Sequence, residues 1–144
     1  MHIDEEIRAK FELLKNASPK HMGHALGIQF DHISRDEMRA SMPVNENTIQ
    51  PMGILHGGAS VALAETLSSI GAWLNLRDEN SDAVGLEINA NHIKSVRSGS
   101  SVIGIAKPIH RGAKTQIWET RIETEDGKLV SVSRCTIAII KKRD

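Results

Sequence analysis

The sequence contains no tyrosine, a single cysteine, and only two tryptophans and two phenylalanines in 144 residues. With aromatic residues at 3% the core must be aliphatic, and a small domain of that kind gains further burial by associating with copies of itself. The lone Cys135 excludes an internal disulfide and fits a reducing compartment, with the thiol as core filling. Charge of one sign is not in excess: 18 basic residues balance 18 acidic ones. There is thus no overall basic field to hold a polyanion, and no nucleic-acid partner is expected. A long hydrophobic run is also missing, since the longest apolar stretch is interrupted by Glu65. The opening "MHIDEEIRAK" is charged where a signal peptide would be apolar, so the expectation is a cytoplasmic protein with no membrane partner.

Hydrophobic residues make up 40% and charged residues 25% of the chain, which is globular composition. The length suits one domain over residues 1–144, with 1–26 as a helical segment packing on it. Ile3, Ile7, Phe11 and Leu14 recur at helical spacing, with acids in the first turn, and Ser18-Pro19 breaks that pattern. A short turn or helix around His21 to Leu26 follows. Ile28 and Phe30, then Met38, Ala40 and Met42, alternate with polar neighbours on either side of a Ser34-Arg35-Asp36 turn, which predicts a hairpin. Asn45 to His56 has turn chemistry, and Gly57 or Gly58 to about Leu76 reads as a helix that is apolar or small on nearly every face, and so central.

Four stretches of strand character follow: Ala83 to Val96, Ser101 to Ile109, Thr115 to Thr124 and Leu129 to Ile140, separated by "RSGS", "HRGAK" and "EDGK". They predict an antiparallel meander. In its first strand, period two puts Val84, Leu86, Ile88, Ala90 and His92 on one face. Two strands, a buried helix and four strands make an α+β domain whose antiparallel sheet wraps around the long helix, the outline of a hot-dog fold.

The candidate chemistry sits in "QPMGILHGGASVALAE". A helix starting at Gly57 leaves its first N–H groups free and adds positive potential, so it can hold an oxyanion, with His56 and Gln50 as polar neighbours. Glu65 lies eight positions later, roughly 12 Å along the axis at about 1.5 Å per residue. One side chain does not bridge that distance. If both groups act on one carbonyl, they come from different chains across a two-fold interface. Ser69, one turn beyond Glu65, can orient the carboxylate or a water. The structural alternative for Glu65 is an ion pair with Arg121 or Arg134.

These segments resemble the hot-dog thioesterases, in the PaaI-like branch that contains 4-hydroxybenzoyl-CoA thioesterase and 1,4-dihydroxy-2-naphthoyl-CoA hydrolase. The resemblance rests on "MPVNENTIQPMGILHGGASVALAET", "VGLEINANHIKSVRSG", "KPIH" and "SRCTIAII", in that order from about Gly27 onward. It implies hydrolysis of an aryl- or acyl-CoA ester, with Glu65 as nucleophile or general base and the Gly57 N–H polarising the carbonyl. Gln50 and His56 would lie beside that carbonyl and Ser69 at the water. Gly85, His92, Ile93, Lys94, Ser95, and the turn of His110, Arg111, Gly112, Lys114 and Thr115 would hold CoA. The resemblance also implies a homodimer, commonly paired into a tetramer, with CoA thioester as substrate and no cofactor. No metal is expected, because His21 and His24 lack a third clustered ligand. The competing expectations are a hot-dog hydratase or dehydratase, which would need a His-plus-acid motif, and a silent acyl-CoA binder.

Overall fold

The computed structural model describes residues 1–18 and 20–143. The break expected at Ser18-Pro19 therefore falls partly outside the described residues. Strand β1 (His2–Ile3), helix α1 (Glu5–Ala17) and the single turn α2 (Met22–Ala25) lead into β2 (Gln29–Ile33) and β3 (Met38–Pro43). These two strands form the expected antiparallel hairpin. Its turn is closed by Ser34, whose hydroxyl accepts from the Glu37 N–H at 2.9 Å. The two-residue β1, too short to show a period, pairs parallel with β2. In α1, Ile7 and Phe11 are the buried positions, and Lys10 docks the helix by donating to the Trp73 carbonyl at 2.6 Å.

Helix α3 (Gly57–Leu74) is followed by β4 (Ser81–His92), β5 (Ser101–Arg111), β6 (Thr115–Thr124) and β7 (Leu129–Lys141). The helix stops two residues short of the expected Leu76. Asn75 ends it by turning its amide back onto the Gly71 carbonyl at 2.9 Å. The seven strands form one sheet in the order β1-β2-β3-β5-β6-β7-β4, antiparallel except for the β1–β2 pair. Helix α3 packs against β3, β4, β5, β6 and β7, so the sheet curves around it as a hot-dog fold. Two glycines allow the close approach. A Cβ at Gly71 would stand 2.6 Å from the Trp118 ring, and one at Gly104 would stand 2.7 Å from Leu67. Trp118 is fully buried, and its ring N–H is satisfied by Gln116, which in turn donates to the Ala72 carbonyl.

The expected face of β4 needs correction. A bulge between Gly85 and Glu87 makes Leu86 an extra residue, so Val84 and Leu86 do not share a face with Ile88, Ala90 and His92. Ile88 packs on the core, whereas Val84 is 43% and Leu86 67% exposed. The inward set is instead Ala83 and Gly85 before the bulge and Ile88, Ala90 and His92 after it, opposite the inward residues of β7. Strand β4 ends the sheet with no strand beside its outer edge among the described residues, and Val84 and Leu86 are the exposed apolar side chains along it.

Candidate active site

The loop before α3 is held by backbone pairing. Thr48, itself buried, bonds the Pro43 carbonyl at 2.7 Å, His56 N–H donates to the Thr48 carbonyl at 2.8 Å, and Leu55 N–H donates to the Val96 carbonyl at 2.8 Å. Gly53 turns the loop at φ 78°, so that Gln50 N–H reaches the Ile54 carbonyl at 2.9 Å. The Gln50 side-chain oxygen accepts from the Met52 N–H. Gln50 and His56 are therefore fixed on a short, cross-braced loop.

His56 is the N-cap of α3: its Nδ1 accepts from the Gly58 N–H at 2.8 Å. A ring nitrogen that accepts carries no proton, so in the neutral imidazole the hydrogen sits on Nε2 and is available as a donor. Glycine at 58 permits this cap, because a Cβ there would lie 2.9 Å from Nδ1. With Gly58 capped, the Gly57 N–H is left without an acceptor among the described residues. His92, from the end of β4, packs on the side-chain side of this glycine: a Cβ at Gly57 would meet its Nε2 at 2.8 Å.

Glu65 is half-buried in the middle of α3. Its carboxylate lies against the backbone of Gly85. Among the described residues it forms no ion pair; Arg121 instead pairs with Glu123 at 3.3 Å, and Arg134 is exposed on the sheet's outer face. The structural ion pair that competed for Glu65 is therefore absent among the described residues. Its negative charge is felt by Cys135 beneath it: burial first, then Glu65 and Glu87, push that thiol up to about 12. Ser69 is half-buried one turn further along the same helix. Because Gly57 and Glu65 belong to one unbroken helix, the axial gap of about 12 Å between them stands.

The candidate CoA residues fall into two groups that one chain does not bring together. His92 pairs with Ser131 at the start of β7, and Ile93 and Lys94 N–H both donate to the Val130 carbonyl at 2.8 and 3.1 Å. The turn from His110 to Thr115 abuts the other end of β7, where Ile139 N–H donates to the Lys114 carbonyl at 2.9 Å. The eight residue steps from Ser131 to Ile139 span roughly 26 Å at about 3.3 Å each. Ile93, Lys94 and Ser95 are exposed. Gly112 lets the His110 ring fold close, since a Cβ there would lie 2.5 Å from its Nε2.

Arg111 is already engaged. It pairs with Asp36 at 2.5 Å and donates to the Arg35 carbonyl and the Asn75 side chain at 3.1 and 3.0 Å. Lys114 has no ion pair among the described residues. Beside this turn is a cavity of about 360 Å³ that adds Arg77 and Lys141 to Arg111 and Lys114. No local pattern marks those two, because they converge only when α3 ends against the end of β7. At the α2 cap the His24 backbone N–H donates to His21 Nδ1 at 3.4 Å, and no group of three metal-ligating side chains occurs among the described residues. Among the described residues no helix is long and apolar enough to cross a membrane.

Residues 52–131 match the family model of the thioesterase superfamily. The chain is 49% identical over 115 residues to the 1,4-dihydroxy-2-naphthoyl-CoA hydrolase of Escherichia coli (strain K12), covering 80% of this chain and 83% of that protein. It is 43% identical over 129 residues to the proofreading thioesterase EntH of Cronobacter sakazakii, covering 90% and 93% respectively. A crystal structure of a mutant thioesterase PA1618 from Pseudomonas aeruginosa superposes with a TM-score of 0.85 at 40% identity, over 91% of this chain and 94% of that one.

Proposed function

The chain belongs to the thioesterase superfamily and is a thioester hydrolase, and on that premise we propose that it cleaves an aryl- or acyl-CoA ester at a site completed by two chains. The observation that carries this reading is the pairing of an uncommitted Gly57 N–H at a helix start with a Glu65 carboxylate that has no counter-ion among the described residues. One is a donor for an oxyanion, the other a base or nucleophile.

The substrate carbonyl oxygen accepts from the Gly57 N–H, with His56 Nε2–H and the Gln50 amide as neighbouring donors. A partner chain's carboxylate at position 65 acts on the carbonyl carbon from the other side. Either it removes a proton as water adds, or it adds directly and water then opens the mixed anhydride. The carbon–sulfur bond breaks, CoA leaves with the electron pair and takes a proton, and the products are the free acid and CoA thiol. Negative charge grows on the carbonyl oxygen in both routes, where one preorganised donor is worth about 3 kcal/mol. Ser69, one turn beyond Glu65, holds the water in this scheme.

The two-chain reading is supported by β4. An edge strand of 12 residues with exposed Val84 and Leu86 is a template for pairing with its own copy. Two β4 edges related by a two-fold axis run antiparallel. That arrangement carries His92 to Ser95 of one chain toward the partner's end of the sheet that holds Lys114, closing the gap that one chain leaves open. Lys94 and Lys114 then supply cationic contacts to CoA phosphates, and Arg111 braces its turn. Pairing of such dimers into a tetramer and a cytoplasmic location belong to the same proposal. The test is thiol release over a panel of aryl- and acyl-CoA esters, with Glu65→Gln as control. Tight binding without thiol release by the unmodified protein would make it a silent binder and end the catalytic reading.

A further inference from the structure

Helix α3 carries Glu65 and Ser69 and ends at Leu74, and two of its last carbonyls are taken up by side chains that lie beyond it. Asn75 Nδ2 donates to the Gly71 carbonyl at 2.9 Å and to the Arg35 carbonyl at 3.0 Å. Gln116 donates to the Ala72 carbonyl at 3.2 Å. Both side chains belong to residues that are only 8% and 2% exposed, so a bond lost at either leaves a dry polar group unpaired. The Asn75 oxygen in turn accepts from Arg111 Nη1 at 3.0 Å. Arg111 stands near the start of the turn from His110 to Thr115, and Gln116 directly follows it. The turn is thus tied to the end of α3 on both sides, and Asn75 and Gln116 both line the cavity of about 360 Å³ beside it.

The same guanidinium donates from Nη1 to the Arg35 carbonyl at 3.1 Å and from Nη2 to Asp36 at 2.5 Å. Three acceptors converge on its fork, one of them a carboxylate, so a phosphate would have to displace a negative group to reach it. The Asp36 pair stands in water, with that side chain 81% exposed, and such pairs hold a group only weakly. The Asn75 contact is the dry one and fixes where the guanidinium lies. We infer that Asn75 is a positioning residue for CoA recognition: through the Arg111 fork it clasps the turn from His110 to Thr115 to the end of the catalytic helix, so that Lys114 on that turn meets a phosphate. Arg111 serves by its geometry, because its charge is already answered by Asp36. Lys114 has a flexible stem and a point charge, so the backbone beneath it has to be placed for it. The Gly112 N–H, donating to the Thr115 carbonyl at 2.9 Å, and the Ile139 N–H, donating to the Lys114 carbonyl at 2.9 Å, hold the rest of that backbone. The inference rests on the reading that this turn holds CoA.

The test titrates CoA calorimetrically into the unmodified protein, Asn75→Ala, Arg111→Lys and Lys114→Ala. It also measures kcat and KM for the CoA ester that is cleaved fastest and for the matching pantetheine ester, which lacks the nucleotide phosphates. Asn75→Ala is expected to weaken CoA binding and raise the KM of the CoA ester by about tenfold, the scale of one hydrogen bond to a charged group. Its kcat, and its kcat/KM with the pantetheine ester, should stay within about twofold, a margin well inside that effect. Arg111→Lys keeps the charge and loses the fork, so CoA binding should weaken as much, and the double variant should be no worse than either single one, because both cut the same connection. CoA binding by Arg111→Lys at the unmodified level means that charge suffices and overturns the assignment. A lower kcat in Asn75→Ala with CoA affinity intact makes Asn75 a helix cap only and overturns it as well. If Asn75→Ala does not fold, Arg111→Lys decides alone. Lys114→Ala separates the inference from the reading beneath it: weaker CoA binding there, with none in the other two variants, overturns the clasp and leaves the turn as the CoA site, whereas no loss in any of the three removes both. Since CoA binding is measured apart from hydrolysis, a protein that binds CoA and releases no thiol defeats the catalytic reading and still decides the clasp.

Discussion

The Glu65 carboxylate rests against Gly85 so closely that no Cβ fits between them. The contact joins the middle of α3 to β4 just before its bulge, and it gives Gly85 a physical reason: absence of a side chain is what lets the acid lie where it does. The atom in the way is the far end of a flexible side chain, so Gly85→Ala should cost little stability. It should instead push the carboxylate aside. Misplacement by about 1 Å can cost on the order of a hundredfold in rate. The expected outcome is a kcat lower by about 10- to 100-fold with an unchanged melting temperature, measured by thiol release and thermal unfolding. A Gly85→Ala enzyme with full kcat would show that Glu65 need not hold this position.

Glu65→Gln keeps the shape of that contact and removes the charge and basicity. We expect kcat to fall by at least about 10²-fold, the lower end of general-base contributions. The folded protein should survive, because the carboxylate takes part in no ion pair among the described residues that the amide would break. Circular dichroism alongside the assay separates the two effects.

The elements with a clear period were legible from the residues. The hairpin around Ser34, the apolar helix after Gly57 and the β5–β6–β7 run with its Asp126-Gly127 turn follow from spacing and turn chemistry, whereas the expected four-strand meander fails at its first strand, since β4 pairs with β7 and not with β5. The His56 cap was nearly legible, because its partner is two residues away. What could not be read there depends on contacts between distant segments. The extra residue at Leu86 cancels period two midway through β4, so alternation predicts the wrong face for Val84 and Leu86. Arg111 looks free in "HRGAK", yet its acid partner Asp36 is 75 residues away. Gly85 was marked only by the resemblance; its reason, clearance for Glu65, exists only in the folded chain.

Cys135 should be inert in the folded enzyme. Burial first, then the charges of Glu65 and Glu87, push the thiol from its ordinary range near 9 up to about 12, and the thiolate is the reactive form. Below pH 9 the thiol is neutral in both folded and unfolded chains. Between pH 9 and 12 the unfolded chain loses this proton first, so stability from this group falls as pH rises through that window. Alkylation at pH 8 should therefore be slow until denaturant is added. Fast native labelling would contradict the burial of this side chain.

Gly71 faces the rigid ring of Trp118, with a Cβ position 2.6 Å from it and 3.0 Å from Met38. Unlike the acid beside Gly85, this neighbour is a fully buried indole held by Gln116 and has nowhere to go. Gly71→Ala gains helix propensity of up to about 1 kcal/mol but overpacks the core, which costs about 1–3 kcal/mol. The core term should win at this distance. Net destabilisation is expected in a denaturant titration followed by tryptophan fluorescence, and a more stable variant would mean that α3 shifts off the sheet more easily than its packing suggests.

The two-chain site makes a stoichiometric prediction. Gly57→Val drives a side chain into His92 and crowds the carbonyl's place at the helix start, while Glu65→Ala removes the acid. Each variant alone should be inactive. If a site takes its helix start from one chain and its acid from the other, random pairing of equal amounts makes half of the dimers mixed. Each mixed dimer has one site with both groups intact and one with neither, so about a quarter of wild-type activity should return after subunit exchange. A site built within one chain gives no recovery at any ratio, because every chain lacks one essential group. The recovered fraction, read against the amount of mixed dimer isolated with two different affinity tags, therefore decides whether Gly57 and the Glu65 that serves it belong to one polypeptide or to two.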